Sequence, residues 1–570
     1  GDFLAENVLG VLEPEVLHFL LTVSLPERIC ADLATTLSGE ERGQAMLEEI
    51  ELRDLFLTRV DQAGQWFRFH SLFAEFLRRR LERDEPQLIP QLHRRASEWF
   101  AGHGMLTEAV DHALAAGDAD RAIELVETDG RSLIEHSRMT TLITLMEKLP
   151  PVTVAANPIL QMQLAWANLL LHRAALAEAS LERARVALER LARSDAALGI
   201  RREADIAEAC VRAISDRLDG LDELVARLAD DLDGLPPFLV SAIHNVGTLG
   251  ATLRFDFDEA HRWQQRAIPA HRRNTGPYAV MYGYGLDGLA YVEQLDLDRA
   301  EACFRTGLRL SREQGSSTQS QGAQLASALL AAVRYERGDL YEAERLLDES
   351  FFIGAAEGVV DMIEARHLVG ARVALCHGDR AVAGSYLDEA VDIAERLDTP
   401  RLRAVAENEQ VMRHLPARRG VSARVDADAE VPTRGIAAIV AQLHAETAIR
   451  LMLDAGESAE APDVACRWAQ EWVDRLAGSG RHRAFLRARR LLAVCLAAAG
   501  RTQEARAHTL AVLAQCAASG MVRFPLDGGD EFTRLVDDVA RSVRAGDRPA
   551  PAALSPDFLD RLLGDGGTRS

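Results

Sequence analysis

A chain of 570 residues exceeds one ordinary compact domain, although a repeat array can run that far without dividing. Its residues are 48% hydrophobic but only 5% aromatic, which suits helices packed through Ala and Leu and argues against a β-rich fold. A net charge of −22 repels nucleic acid and anionic membranes in bulk, and with no uninterrupted apolar run of 18 residues no membrane span is expected. The seven cysteines (Cys30, Cys210, Cys303, Cys376, Cys466, Cys495 and Cys516) are scattered, with no CxxC. That spacing predicts small core residues in a reducing, cytoplasmic compartment. The opening GDFLAENV, without Met or a charged leader, reads as the start of an excised piece.

Residues 1–85 differ from the rest. Apolar periodicity predicts helices over 3–11, 13–24, 30–38 and 43–54, after which the period changes to two. FLTRVD (56–61), the turn AGQ and WFRFH (66–70) predict a small hairpin, followed by a helix over 71–83. Helices followed by a two-stranded wing form a winged-helix pattern. The helix that would enter a DNA groove, GQAMLEEIELRD, carries Glu48, Glu49, Glu51 and Asp54 against Arg53, so it lacks the donors and positive charge that readout needs. Residues 86–150 predict a helical arm, opened by Pro86 and Pro90 and closed by LPPVTVAANP. His93, His103 and His112 are dispersed along it and suggest no metal site.

One phrase returns along the chain, most regularly in the repeat superhelix expected over 151–412: a breaking residue, about four polar positions, then Ala at the start of an apolar-periodic helix. It reads GDADRAIELVE, FDFDEAHRWQQ, LDLDRAEACF, GDLYEAERLL, GDRAVAGSYL and GRTQEARAHT, aligning Ala122, Ala260, Ala300, Ala343, Ala383 and Ala505. A weaker copy places Ala179 two steps before Ala260. A period near 40 with two helices per unit predicts stacked helical hairpins that share a core. Residues 413–436 lose periodicity and predict a loop insertion, 437–544 resume the repeats, and the Gly/Pro/Asp-rich 545–570 predict a linker. The expected fold is all-α: a winged helix with a small β-hairpin, then a right-handed α-α superhelix of tetratricopeptide-like repeats.

The stretch PYAVMYGYGLDGLAYVEQ (277–294) stands out, with Tyr278, Tyr282 and Tyr284 interleaved with Gly283, Gly285 and Gly288. As the first helix of its hairpin it is expected on the concave face. Small residues there make room, and phenols offer an apolar body with a polar tip, so it is a candidate ligand surface. His244 and Asn245 on the preceding first helix, and Gln321 and Gln324 on the next, extend it. The competing reading is close helix packing at the glycines, with the tyrosines filling gaps between repeats. No paired-carboxylate, Ser-His-Asp or Cys-His constellation stands out, and no catalytic residue is expected.

FLAENVL, then AMLEEIELRDLFLTRVDQAGQWFRFHSLFAEFLRRRL, then LHRRASEWFAGHGMLTEAVDHALAAGDADRAIELVE resemble the MalT-like large regulators of the LuxR family, which belong to the STAND class of signal-transduction ATPases. The resemblance covers roughly 1–130 and continues more loosely through the repeats; MVRFPLDGGDEFTRLV (521–536) looks like the phrase that closes their sensor region. It implies a bacterial regulator in which an inducer, a small molecule or a protein, binds the superhelix and shifts a closed ADP state towards a self-associating ATP state. The ATP site and the C-terminal DNA-binding helix-turn-helix are expected outside this chain, since it has no GxxxxGK[ST] and Lys148, its one lysine, sits in MEKLPP. On this resemblance the chain itself is expected not to be an enzyme. His70 falls where a class histidine contacts the β-phosphate of ADP; a capping or packing histidine is the alternative. A scaffold whose array binds a partner protein or peptide is the competing function.

Overall fold

A computed structural model describes residues 12–60, 65–190, 194–313, 321–351, 358–417, 431–456, 460–545 and 551–564. The expected helix at 3–11 and the turn of the wing lie outside them. Two compact units form: one from 1–134, 138–164 and 186–190, the other from 135–137, 165–185 and 191–570. The arm therefore belongs with the winged helix.

In the first unit, α1 (Pro14–Thr22), α2 (Ala31–Ser38) and α3 (Gly43–Leu52) precede β1 (Leu57–Arg59) and β2 (Phe67–Phe69). The two strands pair antiparallel, Leu57 opposite Phe69 and Arg59 opposite Phe67, and Ile29 adds a bridge to Phe67. Alternation drives Phe67 and Phe69 into the core while Arg68 faces out. Helix α4 (Ser71–Asp84) follows, then α5 (Ile89–Gly102), α6 (Leu106–Ala115), α7 (Ala119–Glu135), α8 (Met139–Lys148) and α9 (Pro151–Ala156). The dispersed arm histidines do come together: Nδ1 of His93 lies 2.7 Å from Nδ1 of His112, one donating and the other accepting.

Helices α10 (Pro158–Leu170), α11 (Ala174–Glu189), α12 (Asp195–Ile214) and α13 (Leu221–Ala229) lead into the regular array. Its hairpins are α14 (Pro237–Leu253) with α15 (Phe257–His271), α16 (Tyr278–Glu293) with α17 (Leu297–Glu313), α18 (Gln321–Glu336) with α19 (Leu340–Ser350), and α20 (Val360–Cys376) with α21 (Arg380–Leu397). First helices also stack on one another, α14 on α16, α16 on α18 and α18 on α20, as a shared core requires. The repeat phrase works locally as expected. Asp256, Asp339 and Asp379 cap the second helices through Glu259, Glu342 and Val382. Ala122, Ala260, Ala300, Ala343, Ala383 and Ala505 are all fully buried. The weak copy sits two residues earlier than its phrase suggests: Ala179 is exposed and Ala177 is the buried alanine.

The C-terminal elements are α22 (Pro400–Met412), α23 (Gly435–Ala455), α24 (Ala461–Leu476), α25 (His482–Ala498), α26 (Thr502–Ser519), α27 (Arg523–Leu526), α28 (Asp530–Arg544) and α29 (Pro556–Gly564). They do not simply extend the array. Helix α25 packs against α16, and α27 against α18. Helix α23 is long and apolar enough to cross a membrane by length and composition, yet it buries Glu446 and Arg450 and packs against α22, α24 and α25. Part of the expected linker is also structured: α29 seats Phe558, Leu559 and Leu562 and packs on α28.

Candidate functional site

In the first unit, His70 caps the N-terminus of α4 through its backbone: its N–H donates to Phe56 O (2.8 Å) and its carbonyl accepts from Phe73 and Ala74. Its imidazole is exposed and makes no hydrogen bond within this unit's described residues.

In the second unit, the tyrosine stretch does not form an open surface. Tyr278 and Tyr282 stack at 4.8 Å and are both buried, whereas Tyr284, on the other side of α16, is exposed. Tyr278 donates to Leu170 O (3.3 Å), and Tyr282 Oη lies 2.9 Å from His172 Nε2. With Trp166, Cys210, Phe238 and Asn245 they line an apolar cavity of about 70 Å³, room for a water or two rather than an effector. His244 is turned elsewhere: its Nδ1–H donates to Val240 O (2.7 Å) and its ring edge meets Trp263. Asn245 joins a buried relay. It donates to Ala279 O (2.8 Å) and accepts from Gln264 Nε2 (3.0 Å), which also donates to Thr248. Gln324, fully buried, accepts from Arg366 (3.0 Å). The Gln321 side chain lies outside the described residues.

A larger site lies elsewhere in this unit. The first helices α14, α16, α18 and α20 form one wall of a chamber of about 190 Å³, and α22, α23 and α25 close it. Its surface mixes leucines and valines with charge. Arg401 makes a fork onto two carboxylates, donating to Asp216 (2.9 and 3.0 Å) and to Asp361 (2.8 and 3.0 Å). Burial pushes the Asp216 carboxyl up, whereas Arg401 holds Asp361 low against the same burial. Arg372 makes a bidentate pair with Glu409 at 2.9 and 2.8 Å. Arg487 donates to Asn408 (2.9 Å), and Arg483 reaches Glu336 at 3.4 Å.

Three charged groups on the chamber wall, Glu293, Glu364 and Arg481, make no ion pair among the described residues. Glu364, one turn beyond Asp361, has no hydrogen bond or ion pair among the described residues. Burial raises its carboxyl above the usual range despite the pull of Arg401. Arg481 touches only neutral groups, donating to Gln442 (3.0 Å) and lying 3.9 Å over the Phe255 ring, with the Glu293 carboxylate acting on it from beyond contact. Reading the sequence missed this site because α20 and α25 are more than a hundred residues apart. The signal was present in RHRAFLRARR (481–490), a run of five arginines in an acidic chain.

Residues 5–89 match the family model of the MalT winged helix domain. The serine/threonine-protein kinase PknK of Mycobacterium tuberculosis is 42% identical over 530 residues, 93% of this chain, and its Mycobacterium bovis counterpart matches equally. The transcriptional regulator MalT of Cronobacter sakazakii is 38% identical over 173 residues, covering 30% of this chain and 19% of its own length. Among solved structures, a STAND protein with a tetratricopeptide repeat sensor from Pyrococcus horikoshii superposes on 85% of the chain and 67% of its own, at 13% identity and a TM-score of 0.43. The expectation of a chain outside the enzymes is thereby corrected: relatives matched along nearly all of it are named as kinases. The chain spans about half the length of those kinases, 47%, and carries at its start a winged helix of the MalT type.

Proposed function

We propose that the chain is the sensor and regulatory region of a signalling protein kinase, and that the repeat unit takes its effector in the inner chamber. The observation that carries this reading is the chamber itself: an internal space walled by four successive first helices, closed by returning helices, and bearing charge left unmatched. Buried charges are ordinarily paired, because desolvation costs several kcal/mol per ion. A space that keeps charge available is suited to a ligand that completes it. The kinase relatives support an output of phosphorylation, and the MalT-type winged helix supports a regulatory part. His70, exposed at the head of α4, is free to read a nucleotide-bearing domain.

Ala365, buried in the chamber wall, offers the test. In the full-length kinase, Ala365→Trp fills the chamber. Kinase activity is measured with and without a low-molecular-weight cell extract. The expected result is activity fixed at one level and indifferent to extract, while the unmodified protein responds. An unchanged response in the variant sinks the chamber as the sensing site. A response only to a protein fraction would favour the partner-scaffold reading.

A further inference from the structure

The charge pattern of the chamber narrows its ligand, an argument that rests on the effector reading above. We infer that the chamber binds a small apolar zwitterion, an amino acid or a dipeptide, with its ammonium on Glu364 and its carboxylate on Arg481. Three observations converge on this chemistry. Glu364 makes no ion pair while its neighbours do: Asp361 on the same helix is consumed by Arg401, and Glu336 faces Arg483 and Arg372; Glu293, the other wall carboxylate without a contact, acts on Arg481 through space. An ammonium supplies the donors that a free carboxylate accepts. Arg481, with one arm on Gln442 and its plane on Phe255, has the Glu293 charge near but no carboxylate in contact, which leaves its fork open to a planar anion such as a carboxylate.

Between the paired charges the wall carries Leu253, Leu289, Val292 and Leu329, so the body of the ligand should be aliphatic. At about 190 Å³ the space is smaller than the roughly 300–1,000 Å³ that holds a drug-sized molecule. The opposite signs also select against simpler competitors. A plain carboxylic acid leaves Glu364 unmatched, and a plain amine leaves Arg481 unmatched, each a desolvation cost with no return.

The purified 570-residue chain is titrated by calorimetry and thermal shift with the twenty amino acids, a panel of aliphatic dipeptides, and their N-acetyl and methyl-ester derivatives. Aliphatic zwitterions are expected to bind and raise the melting temperature, and either blocked derivative to lose at least about tenfold in affinity, the loss of one charged hydrogen bond. Glu364→Gln is the key variant. It removes a half-buried, unpartnered charge, so its melting temperature without ligand should rise, while zwitterion binding falls by at least about tenfold. A purely structural Glu364 would not couple greater stability to lost binding. Equal binding to Glu364→Gln, or equal binding of the N-acetyl derivatives, overturns the inference. No shift with any zwitterion overturns it too, as a chamber that holds water only. The broader sensor reading is judged separately by the Ala365→Trp kinase response.

Discussion

Gly283 shows how much depends on one absent atom. A Cβ there would lie 2.7 Å from Gln264 Oε1, 2.8 Å from His271 Nε2 and 3.1 Å from Asn245 Oδ1. The space holds a buried relay. Burial pulls His271 down to about 4, so the ring is neutral near pH 7; its Nε2–H then donates to Gln264 Oε1 (3.2 Å) and its Nδ1 accepts from the Ser241 hydroxyl (2.9 Å). Gly283→Ala is expected to destabilise the chain by about 1–3 kcal/mol, through overpacking and broken hydrogen bonds, read from denaturant midpoints. Asn245 and Gly283 were both conspicuous in the sequence, but as room for a ligand. Their partners Gln264 and His271 lie on α15, and pairwise contacts across helices leave no mark on periodicity. A second residue-scale prediction concerns His112, which burial and the neighbouring His93 hold down to about 4. Its folded value lies below the unfolded value of about 6.5. Its contribution is therefore present above pH 6.5 and lost as the pH falls through 4, up to roughly 3 kcal/mol. His112→Gln should flatten that part of the stability profile.

At the scale of elements, the array has a lock that the repeat phrase did not reveal. A Cβ at Gly247 would strike the Trp263 ring at 2.5 Å, one at Gly288 the Phe304 ring at 2.3 Å, and one at Gly370 the Tyr386 ring at 2.9 Å. Each glycine lies on a first helix and each aromatic sixteen positions later on the second, with Gly247 and Gly288 one repeat apart and Gly370 two further on. The ring fills the notch, and the two helices close over it. The third hairpin, α18 with α19, places Leu329 and Arg345 at these positions. Gly288→Ala is expected to cost about 1–3 kcal/mol, because Phe304 is fully buried and has nowhere to move, whereas Gly384→Ala, on α21 with open space around it, should be neutral or slightly stabilising. Differential scanning calorimetry of the two variants separates them. The period and the alanines were legible because they repeat at one fixed step. The locks repeat too, but as pairs of different residues, and a scan for a recurring phrase passes over them. The misplaced Ala179 and the helix in the tail have a similar origin: short segments whose burial is decided by what packs on them, not by their own pattern.

The repeat unit as a whole is closed by its own C-terminus, and the residues that close it lie in the phrase at 521–536. Val522 N–H donates to Glu336 O (2.7 Å), tying the start of α27 to the end of α18. Asp527 is the hub. It accepts from Tyr335 (2.7 Å) and Arg523 (3.0 Å) and pairs with Arg413 (3.1 Å), joining three parts of the chain separated by up to 192 residues. Burial would raise its carboxyl, but Arg413, Arg523 and Arg372 outweigh that and hold it low. The sequence marked this phrase only through a family resemblance; nothing local says that Asp527 meets Tyr335. Asp527→Asn keeps the shape and removes the charge, leaving Arg413 and Arg523 buried without their counter-ion at a cost of about 3–5 kcal/mol. The loss should be local. Hydrogen exchange in 523–544 and at Tyr335 should quicken, while α1–α6 in the other unit exchange as before. Acid should imitate the variant. A carboxyl held below its unfolded value of about 3.9 stabilises above that pH and ceases to as the pH falls through its folded value. In the unmodified chain the closing segment should therefore loosen as the pH drops below about 4, and Asp527→Asn should show no further loosening from this source. If the variant leaves exchange in 523–544 unchanged at neutral pH, the hub does not hold this segment on the array. Its attachment then falls to the apolar packing of α25 and α27 on the first helices.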